Sequence, residues 1–146
     1  MRTKFAVVLG LGAMAVVLAG MVASLQAHHA FSAEFDSEKP VTYKGTISKM
    51  EWTNPHVWLH LDVKAKDGKT ETWAFEAGTP SVLFRRGVTK ESVKIGMEVT
   101  VDGYQAKDGS HRANGRDIKL ADGRTMFLGS TGTGAPYELN PTAPPK

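Results

Sequence analysis

The stretch VWLHLDVKAKDGKTETWAFE, residues 57–76, decides the fold of this chain. Val57, Leu59, Leu61 and Val63 alternate with Trp58, His60 and Asp62, the two-residue period of a strand with one face in a core. Asp67-Gly68 then marks a tight turn, and beyond it Trp73 and Phe75 again share a face. An Asp-Gly pair between two alternating runs is the strongest short-range signal for a β-hairpin. Upstream, Val41, Tyr43, Gly45 and Ile47 alternate in the same way, and Gly45 inside that run predicts a bulge or sharp bend. Downstream, Pro80 to Arg86 carries Val82, Leu83 and Arg86 at helical spacing, with Gly87 placed to end the turn. Thr89 opens a second short turn with Glu91 near its positive end, and Gly96 closes it. Val99 and Val101 begin another strand, and Asp108-Gly109 and Asp122-Gly123 repeat the hairpin signal. The last of these turns Ile118-Lys119-Leu120 back onto Met126-Phe127-Leu128. Three strands, a helix, two strands and a hairpin strand predict an all-β fold with one short helical segment, a small OB-like closed barrel. A β-sandwich is the alternative, disfavoured by the central helix.

The ends of the chain read differently. Arg2 and Lys4 precede an uncharged apolar run from Phe5 to Leu25, and Ala27 supplies a small residue at a cleavage point. This is the pattern of a secretory signal peptide over residues 1–27, with a barrel domain over 28–128. The apolar run is also long enough, at ~20 residues, to serve as an uncleaved anchor. The chain is therefore expected to be periplasmic or secreted, or anchored and facing the periplasm. From Gly129 the sequence GSTGTGAPYELNPTAPPK is rich in Gly, Ser, Thr and Pro, and residues 129–146 are expected to be disordered or loosely attached.

Composition narrows the function. Removing Arg2 and Lys4 with the leader leaves 18 − 2 = 16 basic against 15 acidic residues, a formal charge of +1. A nearly neutral domain offers no basic footprint for nucleic acid. The absence of cysteine excludes disulfides, thiolate metal sites and thiol catalysis. A small exported domain without disulfides must hold itself together by packing, which a closed barrel does efficiently.

The segments HHAFSAEFD (28–36), WTNPHVWLHLDV (52–63), WAFEAGTP (73–80), FRRGVTKESVKIGMEVTVDGYQAKDG (84–109) and LADGRTMF (120–127) resemble, in this order, a family of small exported bacterial proteins. That family is known only as a domain of unknown function. The resemblance spans His28 to about Phe127 and implies an exported single domain, but no activity, substrate or catalytic residue.

Function must then be sought in the residues. Cleavage after Ala27 would expose a free amine on His28, followed by His29. An N-terminal amine titrates near ~7.7–8.0, so a metal displaces its proton readily. The amine with the His28 ring, or with a backbone amide and the His29 ring, favours Cu(II). His56, behind Pro55 at the mouth of the second strand, is the candidate third ligand. His60 lies on the same strand face about 13 Å away at the usual rise, too far for the same ion. Trp58, opposite the apolar row, with Glu76 and His111, is a candidate ligand groove. His111 is expected in a loop from Gln105 to Gly115, one of the two loops framing the binding face of such barrels. Glu76 is expected to pair with Arg85 or Arg86, and Glu34 and Asp36 are candidate oxygen donors near the new N-terminus. No nucleophile elbow, phosphate loop or carboxylate pair is present, so no residue is assigned a catalytic role. The leading expectation is a copper-binding exported domain. The runner-up is an envelope interaction module for a peptide, glycan or protein, and a copper-dependent oxidoreductase comes third.

Overall fold

The structure is a computed structural model and describes residues 31–130 and 133–139. The strands are β1 (Phe35–Glu51), β2 (Trp58–Lys64), β3 (Thr70–Glu76), β4 (Glu98–Ala106), β5 (Arg112–Leu120) and β6 (Thr125–Phe127). The helices are α1 (Pro80–Arg85) and α2 (Pro136–Leu139), and a helical turn at 31–34 leads into β1. The strands run in the order β3-β2-β1-β4-β5-β6, and β3 also pairs with β5. That last pairing is parallel, at Ala74↔Arg112, Phe75↔Ala113 and Glu76↔Asn114, and it closes β1-β2-β3-β5-β4 into a ring. A ring of five strands with a helix between its third and fourth is the OB-like barrel, and its closure sets the sandwich alternative aside.

Closure depends on β1, which is 17 residues long. Its first part pairs with β4 and its second with β2. One strand can serve both neighbours only by bending. The register shifts fall between Phe35 and Pro40 and between Ile47 and Lys49, not at Gly45 as the sequence suggested. Gly45 meets a different need, because a Cβ there would stand 2.6 Å from the Asp62 carbonyl oxygen of β2. Close backbone approach, rather than a bulge, requires the glycine.

Inside the ring lie Ile47, Leu59, Leu61, Trp73, Phe75, Val99, Val101 and Ile118, all buried. Val57 precedes β2 yet is fully buried, because its N–H donates to Gly78 O and its carbonyl accepts from Ala77 N. α1 begins with Thr79, whose Oγ1 accepts from Val82 N, and Pro80 stands where its missing N–H costs nothing. This turn drives Leu83 into the core and so plugs the barrel between β3 and β4. Residues 88–97 form turns, as the sequence suggested, with Thr89 Oγ1 accepting from Glu91 N and Ser92 N. The loop expected from Gln105 to Gly115 is only a turn at 107–111. The ladder continues through Tyr104↔Asn114 and Gln105↔Ala113, which carries both strands toward the Asp-Gly turn.

The C-terminal segment corrects the sequence reading. Residues 133–138 lie on the barrel rather than away from it, and Ala135 and Tyr137 are buried in a second cluster with Phe31, Phe35, Tyr104 and Ala106. One aromatic ring supplies what a Gly- and Pro-rich composition hides. Tyr137 packs edge-on to Phe127 at 5.3 Å, and its hydroxyl finds a buried partner. Among the described residues no helix is long and apolar enough to cross a membrane.

Candidate functional site

The strand registers build one row of side chains on the outer wall of the barrel. Trp58 of β2 stands opposite Glu76 of β3, Glu76 opposite Asn114 of β5, and Asn114 opposite Tyr104 of β4. Registered partners point to the same side, and the neighbours Leu59 and Phe75 point into the core, so this row points outward. Three members are nonetheless covered, since Glu76 is 9% exposed, Tyr104 7% and Asn114 6%. The second aromatic cluster and the loop before β2 cover them.

His56 lies in that loop, directly after the cis Asn54–Pro55 peptide. Its Nδ1 is in contact with the Glu76 carboxylate. Burial pushes the Glu76 pKa above the usual carboxylate range. The negative charge of Glu34 pushes the same way, while His56 and Arg112 oppose it. A carboxylate held in a desolvated place is stabilised as an anion only by a donor, and the His56 Nδ1–H is that donor. With Nδ1 so occupied, Nε2 makes no hydrogen bond among the described residues, and the side chain is 32% exposed. Proteins present histidine to metals in this way, with one ring nitrogen held by a carboxylate and the other left open.

The other end of the row is held by Tyr137. Its hydroxyl donates to Asn114 Oδ1 at 2.9 Å. Burial, with the charges of Glu138 and Glu76 adding, pushes its pKa up to about 12. Glu34 enters through the chain, because its carbonyl accepts from Lys107 N at 2.9 Å and its side chain is exposed.

The remaining candidates fall as follows. Trp58 is half-buried in the same row as Glu76. His111 does not join them: it stacks on Trp73 at 4.9 Å with the rings 13° apart, and its Nε2 is 3.9 Å from Glu71. His60 gives its Nε2 to Glu51 at 2.7 Å. The expected pairing of Glu76 with Arg85 or Arg86 is replaced by the His56 contact. Arg86 instead donates to Gly129 O at 2.6 Å and lies over the Phe127 ring. α1 caps the barrel interior and Glu76 points outward, which separates the two. Asp36 is occupied locally, accepting from Glu38 N and pairing with Lys39. His28 and His29 lie outside the described residues. Among the described residues no group of three or more His, Asp or Glu side chains is arranged to hold a metal ion, so His56 would need ligands from elsewhere.

Sequence reasoning missed Asn114 and Tyr137. Asn114 sits in a polar strand, RANGRDIKL, with no motif around it. Tyr137 is the single aromatic of the tail, and that is the one signal that could have singled it out.

No curated protein matches this chain. Among solved structures, Rim1, a mitochondrial single-stranded DNA binding protein from S. cerevisiae, is similar at 19% identity with a TM-score of 0.45. The similarity covers 60% of this chain and 94% of that one. A family model matches residues 15–115, and the chain belongs to that family, DUF6152, a family of unknown function.

Proposed function

We propose that this chain is an exported binding domain that holds a copper ion between the N-terminal His28-His29 of the processed protein and the ring of His56. The observation that carries this reading is the His56–Glu76 pair, which occupies Nδ1 and leaves Nε2 open. Removal of residues 1–27 would free the His28 amine, and an amine with imidazole nitrogens suits Cu(II), which heads the affinity order of the divalent ions. Glu34 lies within electrostatic range of Glu76, and the three residues from His28 to Phe31 span up to about 10 Å when extended. The role is binding in the periplasm or outside the cell, with no catalytic step assigned.

Copper titration of three proteins tests the reading: the form beginning at His28, the same form with one glycine added before His28, and His56→Ala. The first should bind tightly, and each of the others should bind roughly ten-fold or more weaker. Equal binding by all three overturns the shared site. The intact mass of the exported protein should lack residues 1–27. A second reading, an interaction module for an envelope peptide or glycan, draws on half-buried Trp58 beside Glu76. Loss of partner capture in Trp58→Ala, with copper binding absent throughout, would favour it.

A further inference from the structure

The segment between β3 and β4 caps one end of the barrel, and its two sides differ in chemistry. Leu83, Val88 and Val93 point inward and are buried in one cluster. The cap is held compact by its own hydrogen bonds. Val88 N donates to Leu83 O at 3.0 Å, Ser92 Oγ to Gly87 O at 3.2 Å and Val93 N to Thr89 O at 3.1 Å. The exposed chain neighbours of those three core residues therefore stand on the outer side. Phe84 is 71% exposed and Ile95 64%, and they are the only large apolar side chains exposed among the described residues. From one to the other the sequence FRRGVTKESVKI, residues 84–95, carries Arg85, Arg86, Lys90 and Lys94 against the single acid Glu91. Arg86 turns back to Gly129 O and the Phe127 ring. Arg85, Lys90 and Lys94 are exposed, and none of them pairs with a carboxylate among the described residues. Elsewhere on the barrel Lys39, Lys44, Lys49 and Lys69 each do.

We propose that the outer side of this cap docks on an anionic phospholipid surface, with Phe84 and Ile95 entering the headgroup region and Arg85, Lys90 and Lys94 meeting the phosphates. Docking of this kind needs no copper. Exposed apolar side chains alone would suit a second copy of the chain, and exposed cations alone would suit any polyanion. The two together match a bilayer, which offers apolar depth directly beneath negative charge. Each basic residue close to such a surface strengthens binding roughly five-fold, and the apolar side chains add a part that salt does not screen. The inward anchors Leu83, Val88 and Val93 fix the cap on the core, so its outer side chains are presented without any segment having to fold on contact.

The test uses the protein beginning at His28, which lacks the apolar run from Phe5 to Leu25 and keeps every residue of the barrel. The probes are vesicles of phosphatidylcholine alone or mixed equally with phosphatidylglycerol, and binding is read by co-sedimentation. The parent should bind the mixed vesicles and leave pure phosphatidylcholine largely unbound. Phe84→Ser with Ile95→Ser should weaken binding by roughly ten-fold or more. Lys90→Glu with Lys94→Glu should weaken it by roughly 25-fold or more. Lys66→Glu with Lys119→Glu makes the same change of charge away from the cap and should stay within about three-fold of the parent. All six positions are exposed, so each variant should keep the thermal midpoint of the parent. The chain has no cysteine, so Ile95→Cys can carry a single environment-sensitive dye. Its emission should shift to the blue on mixed vesicles, whereas the same dye at Lys66→Cys, in the β2–β3 turn, should not respond. Absence of binding by the parent, a silent dye at position 95, or an equal loss in the Lys66 and Lys119 variant overturns the docking surface. If the serine variant binds like the parent while the Lys90 and Lys94 variant does not, the cap is a plain anion site and bilayer docking is overturned. A dimer in vesicle-free solution that the serine variant turns into a monomer would mean that a second copy covers the cap, which overturns it too.

Discussion

Tyr137 donates its hydroxyl to Asn114 Oδ1 across the outer wall of the barrel, and both side chains are buried. This single bond ties a segment of tail composition to the central strand β5. Tyr137→Phe leaves the Asn114 oxygen buried without its donor and is expected to cost about 1–2 kcal/mol of stability. Ending the chain at Ser130 also removes the buried Ala135 and the Tyr137 ring, so it should cost more. Urea unfolding of the three proteins checks the order.

The Glu76 carboxyl should make stability fall as pH rises. Its native pKa lies above the ordinary 4.5, chiefly through burial. The native state therefore holds that proton more tightly than the unfolded chain does. Below 4.5 both states are protonated and the penalty is absent; it grows as pH rises from 4.5 through the raised native value and is then complete. Glu76→Gln carries no such charge and should flatten this part of the profile. Urea midpoints taken between about pH 4 and pH 8 would show it, and an unchanged slope would contradict the burial argument.

Copper binding should not depend on His60 or His111. The His60 Nε2 is taken by Glu51 at 2.7 Å, and the His111 ring is stacked on Trp73. His60→Ala and His111→Ala should bind Cu(II) within about two-fold of the parent, whereas His56→Ala should lose roughly ten-fold. A loss in His60→Ala equal to that in His56→Ala would mean that Glu51 releases the ring to the ion.

Gly45→Ala should destabilise the barrel by about 1–3 kcal/mol, the usual size of a steric insertion into a packed site. The added Cβ would meet the Asp62 carbonyl oxygen at 2.6 Å, a backbone atom that can yield only if β1 and β2 separate. The thermal midpoint should fall, with little change in the far-ultraviolet dichroism of the folded state.

Much of the barrel was legible because its signals are local. The alternation in β2 and β3, the three Asp-Gly turns and the helical spacing from Pro80 to Arg86 before Gly87 each depend on residues a few positions apart. Trp73 and Phe75 read as core and are buried, while Trp58 read as outward and stands in the outer row. His56 was legible as a loop residue before a strand, but its partner was not. Glu76 looked like a mate for the arginines that follow it in sequence, because sequence distance is the only distance a linear reading has.

The sequence by itself determined the strands, their turns and the position of the helix, since those follow from side-chain period and turn chemistry over short spans. Only the tertiary structure decided that β3 meets β5, that Glu76 is thereby set beside Asn114, and that Tyr137 returns from the tail to cover them. Glu76 and Asn114 are 38 positions apart in the chain and become neighbours only when the ring closes. The physical reason is that burial belongs to the closed assembly: a carboxylate becomes desolvated, and a tail aromatic finds a core, only after distant strands have built the wall on which both rest.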